Sequence, residues 1–180
     1  MFNLELDGVE SEKITSALHE IKSRVSSMSL VHQKMYQTSN FKEIKLVDYT
    51  EQIIENLGEL YGKKQIVHEL EISHVHSLSM DEAIPVGLIL NEIVSNYFKH
   101  GCKDENSRFK LSVSSDNNRI DIIYSDNGPG FIKEIDPTKL SSLGLQLISN
   151  LAEQLDGSCN FETENGAVYK ISFPLKVKVD

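Results

Sequence analysis

In YSDNGPGF, residues 124–131, an aspartate leaves an apolar run and two glycines follow it, one residue apart. Strand side chains alternate faces, so Asp126 falls on the side of Ile120, Ile122 and Tyr124, the side expected to be buried. A carboxylate there is costly unless donors meet it. Two readings are open: Asp126 caps its own turn, or it accepts a hydrogen bond from a ligand. In the second, Gly128 and Gly130 let the ligand approach the backbone closely. A second group lies on a long helical stretch. At about 100° per residue, Glu92, Asn96 and Lys99 share an arc of roughly 60°, opposite Val86, Leu90, Ile93, Val94 and Tyr97. Such a trio is either a solvated helix face or a seat for a magnesium-bound phosphate chain. Magnesium takes one or two oxygen ligands with waters and phosphates, and a lysine offsets the remaining charge. The third group is SSLGLQLI, residues 141–148. Gly144 stands where a loop becomes a helix, either as an ordinary junction glycine or where free NH groups could face a phosphate. Each group alone is ordinary; their order along the chain is what favours the ligand-binding reading of each.

The elements that must position these groups can be read from periodicity. Ile14, Leu18, Ile21, Val25, Met28 and Met35 alternate spacings of four and three, with His32 filling the vacant slot. That is a heptad seam on a helix packed against another helix. Met1–Leu6 reads as the stub of a preceding helix, with Asp7-Gly8 as the turn. QTSNFKEI, residues 37–44, marks a boundary between a helical unit, 1–42, and a second unit, 43–180. In the second unit the spacing predicts a helix capped by Asp48 and closed by Gly62. Short strands are expected at Val67–Ile72 and Leu78–Met80. A helix follows from Glu82 to His100, capped by Asp81 and with Pro85 in its first turn. Phe109–Val113 and Ile120–Tyr124 form a hairpin around Asp116–Asn118. A loop over 127–143 leads to a helix from Gly144 to Leu155, and strands near Ser158–Thr163 and Val168–Leu175 close the chain. The expected class is α+β, helices layered on one mixed sheet behind a helical segment.

NEIVSNYFKHG (91–101), DNGPGF (126–131) and SLGLQL (142–147) resemble the N box and two glycine boxes of the histidine kinase ATP-binding domain. Its fold is the Bergerat α/β sandwich shared with gyrase-like ATPases. RVSSMSLVHQKMYQTSNFKEI (24–44) is similar to the second dimerisation helix and linker of the HWE-like subgroup, and IPVGLILNEIVSN and ISFPL fit it too. The resemblance covers nearly the whole chain. It implies ATP and Mg2+ as cofactors. Asp126 would accept from the amino group of adenine, with Gly128 and Gly130 shaping the base pocket. Asn96 would hold the magnesium, Lys99 and His100 would reach phosphates, and Leu143, Gly144 and Leu145 would face the phosphate chain. Glu92 matches the N-box acid, which positions a water in related ATPases; a histidine nucleophile weakens its case as a base. Residues 132–142 would be a short ATP lid. The resemblance further implies γ-phosphoryl transfer to a histidine, a response regulator as the next acceptor, a homodimer through the helical segment and a cytoplasmic location.

One departure stands out: no motif resembling the subgroup's His-His-Arg-Val-Lys-Asn is present. His19, in ALHEIK, imitates a His-Glu pair but belongs to the second helix. His32, on the seam, reads as a satisfied core histidine. His68, His74 and His76 have no acid or cysteine set to make a metal site. The chain is therefore expected to be a fragment, or a shortened protein, without its own phosphoacceptor. Two other readings are a non-catalytic phosphotransfer or docking module with a vestigial nucleotide site, and a serine kinase of the anti-sigma type. The intact motifs speak against the first and the helical segment against the second. A net charge of −9 over 180 residues, with no basic block, argues against nucleic acid as the main partner. Neither a membrane-spanning run nor a signal peptide is legible. Cys102 and Cys159 read as reduced thiols.

Overall fold

A computed structural model describes residues 2–37, 44–63, 67–73, 77–116, 118–131 and 142–175. The expected break over 37–44 and the expected lid over 132–142 lie almost wholly outside the described residues. The first element is one uninterrupted helix, α1 (Phe2–Gln37), so the turn expected at Asp7-Gly8 does not form. A glycine inside a helix costs only about 1 kcal/mol relative to alanine, too little to break a helix of this length. A two-residue strand, β1 (Ile44–Lys45), then runs into α2 (Leu46–Leu60). This helix starts two residues before Asp48, which sits in its first turn and favours the dipole there. Gly62, at φ 68°, closes it as expected.

Strand β2 (Val67–Ser73) precedes β3 (Ser77–Leu78), which pairs antiparallel with β1. Helix α3 (Met80–Asn96) follows and continues into a π-helical turn, Tyr97–Gly101. Its cap is Ser79, not Asp81: Glu82 reaches back to accept from the Ser79 NH at 3.0 Å. S-x-x-E is a capping box, and two reciprocal bonds outweigh one. This earlier start leaves Pro85 in the second turn and Met80 in the helix instead of a strand. Strands β4 (Arg108–Asp116) and β5 (Arg119–Asp126) form the expected hairpin. Helix α4 (Leu143–Gln154), β6 (Ser158–Thr163) and β7 (Ala167–Pro174) complete the chain.

Five strands make one mixed sheet in the order β2-β4-β5-β7-β6, parallel at β2/β4 and antiparallel elsewhere. Alternation delivers Phe109, Leu111, Val113, Ile120, Ile122, Tyr124, Tyr169, Ile171 and Phe173 to one buried face. Helix α3 lies in the middle of the helical layer, packed against α1, α2 and α4. The fold is the expected α+β sandwich behind a helical segment.

Helix α1 is amphipathic in an unexpected sense. The heptad positions Ile14, Leu18, Ile21 and Val25 are each 57–59% exposed, Met28 is 44% exposed, and His32 is exposed with them. The reading of His32 as a core histidine is thus corrected: its helix turns a different side inward. That side carries Ser23, Ser27, Leu30 and Val31, all buried, and it packs on α3. Serines at i and i+4 allow two helices to approach closely, which large seam residues do not.

Candidate functional site

The site begins at the end of β5. Tyr124 and Asp126 are two residues apart and so share a face. Tyr124 Oη donates to Asp126 Oδ2 at 2.8 Å. The backbone NH groups of Gly128 and Ala167 donate to Oδ1 at 2.9 and 3.0 Å. A carboxylate offers about four lone-pair sites, and among the described residues these three donors leave one acceptor direction, on Oδ2. The carboxylate is thereby held in one orientation by groups from β5, the following turn and β7. Burial, and then the Asp126 charge, push the Tyr124 phenol well above its ordinary range, so it stays a donor. Asn127 fixes the exit of the strand: its Oδ1 accepts from the Arg108 NH at 2.8 Å and its Nδ2 donates to the Asn106 carbonyl at 2.9 Å.

The glycines serve the protein's own chain. A Cβ on Gly128 would lie 2.6 Å from Gly101 Cα, and one on Gly130 would lie 2.4 Å from Thr163 Cγ2. Gly130 also has φ 70°, a region glycine enters without a Cβ penalty. These absent side chains therefore admit the π turn and β6, a packing role that the strand-and-turn pattern does not announce.

On α3, Glu92 is only 5% exposed and Asn96 is half-buried, which removes the reading of this stripe as a solvated face. Asn96 Nδ2 donates to Tyr169 Oη at 3.2 Å, turning the amide oxygen the other way. Glu92 is gripped by Arg24 of α1 in a two-pronged pair, Nε to Oε1 at 2.7 Å and Nη2 to Oε2 at 3.1 Å. Lys99 Nζ, on the π turn, donates to Glu20 Oε1 at 2.6 Å. His100 is exposed as a residue, yet partial desolvation of its ring and the adjacent Lys99 charge hold its imidazole below the ordinary value.

The start of α4 closes the group. A Cβ on Gly144 would lie 2.8 Å from Glu92 Oε2 and 3.9 Å from both polar atoms of Asn96, so the helix N-terminus sits directly over the α3 stripe. Ser142 Oγ accepts from the Leu145 NH at 3.3 Å. The Leu145 side chain is buried and Leu143 is exposed. The NH groups of Leu143 and Gly144 precede the intrahelical ladder and are free of it.

Asp126, Gly128, Glu92, Asn96, Lys99, His100 and Gly144 thus gather around the sheet end of α3. Sequence reading missed Tyr124, Tyr169, the Ala167 NH, Arg24 and Glu20. Tyr124 was findable, being two residues before Asp126 on one strand. Tyr169 was not, because its place opposite Tyr124 comes from pairing of β5 with β7.

A recessed carboxylate with one open acceptor, an amide oxygen, two basic side chains and a helix N-terminus together suit an amino-bearing base with phosphates attached. Residues 81–177, more than half of the chain, match the family model described as histidine kinase-, DNA gyrase B-, and HSP90-like ATPase. The chain belongs to that ATPase family. Residues 1–61 match a second family model, described as histidine kinase. Among characterised proteins, it is 23% identical over 145 residues to the sensor histidine kinase PdtaS of Mycobacterium tuberculosis, covering 79% of this chain and 29% of that protein. It is 29% identical over 101 residues to the sensor histidine kinase ComP of Bacillus subtilis, covering 56% of this chain and 13% of that one. The chain therefore spans less than a third of either relative. The histidine kinase domain of a blue-light activated kinase from Erythrobacter litoralis superposes with a TM-score of 0.73 at 21% identity, over 87% of this chain and 75% of that one. A similar fold occurs in the Acinetobacter baumannii histidine kinase AdeS, with a TM-score of 0.61 at 15% identity, over 91% and 81% of the two chains.

Proposed function

We propose that this ATPase-family chain is the ATP-binding catalytic domain of a sensor histidine kinase of the HWE-like subgroup, residues 43–180, preceded by part of its dimerisation region, residues 1–42. The observation that carries the reading is Asp126: three protein donors fix it and leave one acceptor on Oδ2, the arrangement that selects a ligand amino group such as that of adenine. Asn96 fits a magnesium site, because its amide nitrogen faces Tyr169 and its oxygen is turned away. Bound there, magnesium would offset phosphate charge. Lys99 and His100 would bind phosphate oxygens, and the Leu143 and Gly144 NH groups would meet the phosphate chain at the start of α4. Glu92 serves as an anchor for Arg24 more readily than as a base, since both its oxygens are engaged. Phosphoryl transfer of this kind rests on positioning and charge: a histidine nitrogen bonds to the γ-phosphorus as the bond to ADP breaks. That histidine is supplied from outside this chain, and a response-regulator aspartate takes the phosphoryl group next, in the cytoplasm. No helix among the described residues is long and apolar enough to cross a membrane.

At saturating MgATP the melting temperature is expected to rise by roughly 5–10 °C, as for a ligand at about a hundred times its Kd. No rise at millimolar MgATP would favour the vestigial-site module. Incubation with γ-labelled ATP is expected to leave this chain unlabelled, and label mapped to His19 would make it the acceptor instead.

The exposed seam of α1 is proposed as a homodimer contact. Leu18→Glu with Val25→Glu should shift sedimentation toward monomer while leaving each chain folded, since neither side chain is covered within a single chain. An unchanged distribution would remove the seam from the account.

His100 supplies a pH test. The free protein disfavours its imidazolium and a bound phosphate favours it, so affinity is gained as pH falls into and below the ordinary histidine range. MgATP affinity at pH 5.8 relative to pH 7.5 should be several-fold higher in the wild type than in His100→Asn. Parallel profiles would show that His100 does not touch phosphate.

A further inference from the structure

Polar ties between α1 and α3 fall on the part of α3 that the candidate site also uses. Ser23 Oγ donates to Asn91 Oδ1 at 3.2 Å, and Asn91 Nδ2 donates to Ser27 Oγ at 2.7 Å. One residue on, Arg24 holds both oxygens of Glu92. About two turns further along, on the π turn, Lys99 donates to Glu20 at 2.6 Å, and Glu20 also lies 3.7 Å from Arg24. Four charges therefore alternate in a row, Glu92, Arg24, Glu20 and Lys99. The Lys99 side chain is only 20% exposed. Resting on the reading of Lys99 as a phosphate-binding residue, we propose that α1 is a latch on the nucleotide site: Glu20 occupies at Lys99 the place of a phosphate oxygen, and a triphosphate must displace it.

The physical reason is charge. A polyphosphate brought to Lys99 would stand within a few ångströms of the Glu20 carboxylate, and like charges at that range in a partly buried setting repel strongly. Lys99 can satisfy one of them well, not both. Arg24 and the serine pairs then hold the undisplaced remainder of α1 on α3, so release at Lys99 loosens the helix without freeing it. Coupling of this kind is reciprocal: the same factor by which docked Glu20 weakens the triphosphate is the factor by which the triphosphate weakens docking.

The test uses the full chain. Glu20→Gln removes the competing charge at a part-exposed position and is expected to tighten MgATP binding by about five- to tenfold in calorimetry. Adenosine, which has no phosphate, should bind both proteins equally. Glu20→Asp, which keeps the charge on a shorter arm, should fall between them. Lys22→Gln, on an exposed face of the same helix, should stay within about twofold of wild type. If Glu20→Gln binds MgATP no more tightly than wild type, the latch is wrong while the nucleotide site stands. If it tightens adenosine as much as MgATP, Glu20 acts through the fold and not through phosphate, and the proposal fails. If no variant binds either ligand, the nucleotide reading falls and the latch with it.

Discussion

Replacing Asp126 by asparagine is expected to weaken MgATP binding by at least ~100-fold while leaving the fold in place. Oδ1 accepts from two backbone NH groups that cannot turn away, those of Gly128 and Ala167. The new amide must therefore keep its oxygen there and put its NH2 at the Oδ2 position. Tyr124 can adapt, because a hydroxyl accepts as well as donates. A ligand amino group cannot: it would meet a donor where it needs an acceptor, and a site built around one polar contact rejects the mismatched partner strongly. Calorimetry of MgATP on wild type and Asp126→Asn measures this directly. Affinities within threefold of each other would remove Asp126 from base recognition, and the carboxylate would revert to a cap of its own turn.

Gly166→Ala is expected to destabilise the protein by about 3 kcal/mol, lowering its melting temperature by roughly 6–12 °C. The added Cβ would lie 1.8 Å from the Asp126 carbonyl oxygen and 2.8 Å from its Oδ1. The close contact is with backbone, so no rotamer change relieves it; β5 and the β6–β7 turn must separate. Asp126 moves with them, and nucleotide affinity should fall in the same variant. Thermal unfolding within 2 °C of wild type would mean that the turn yields freely and does not support the carboxylate.

The two variants separate the parts of the site. Asp126→Asn alters which atom faces the ligand at constant geometry, whereas Gly166→Ala alters where the carboxylate stands at constant chemistry. A change confined to binding in the first and shared by binding and stability in the second is the pattern expected of a preorganised acceptor.

Much of this was legible in the chain. Period-two alternation in β4 and β5 gives the buried face and puts Asp126 on it, because strand geometry leaves no other choice. The stripe of Glu92, Asn96 and Lys99 follows from 3.6 residues per turn, and Gly62 ends α2 because that position needs a left-handed backbone. Element starts were less legible. Ser79 took the cap from Asp81 through a bond with Glu82, and the last turn of α3 widened into a π turn that carries Lys99 and His100. Both outcomes depend on competition among local bonds of similar strength, which residue type alone does not decide.

Which side of α1 turns inward was beyond the sequence altogether. The heptad seam is the larger apolar stripe, yet it is the serine side, with Leu30 and Val31, that lies on α3. Periodicity measures how apolar each face is; it does not know what surface waits opposite. The same holds for the partners of the site: Tyr169 reaches Asn96, and Ala167 reaches Asp126, only because β7 pairs beside β5, and Arg24 meets Glu92 across 68 residues of chain. Residue type and spacing determined which groups could do chemistry and on which local face they stand. Tertiary packing alone decided which of them meet, because hydrogen bonds and ion pairs act over a few ångströms and the chain brings distant segments that close only once it has folded.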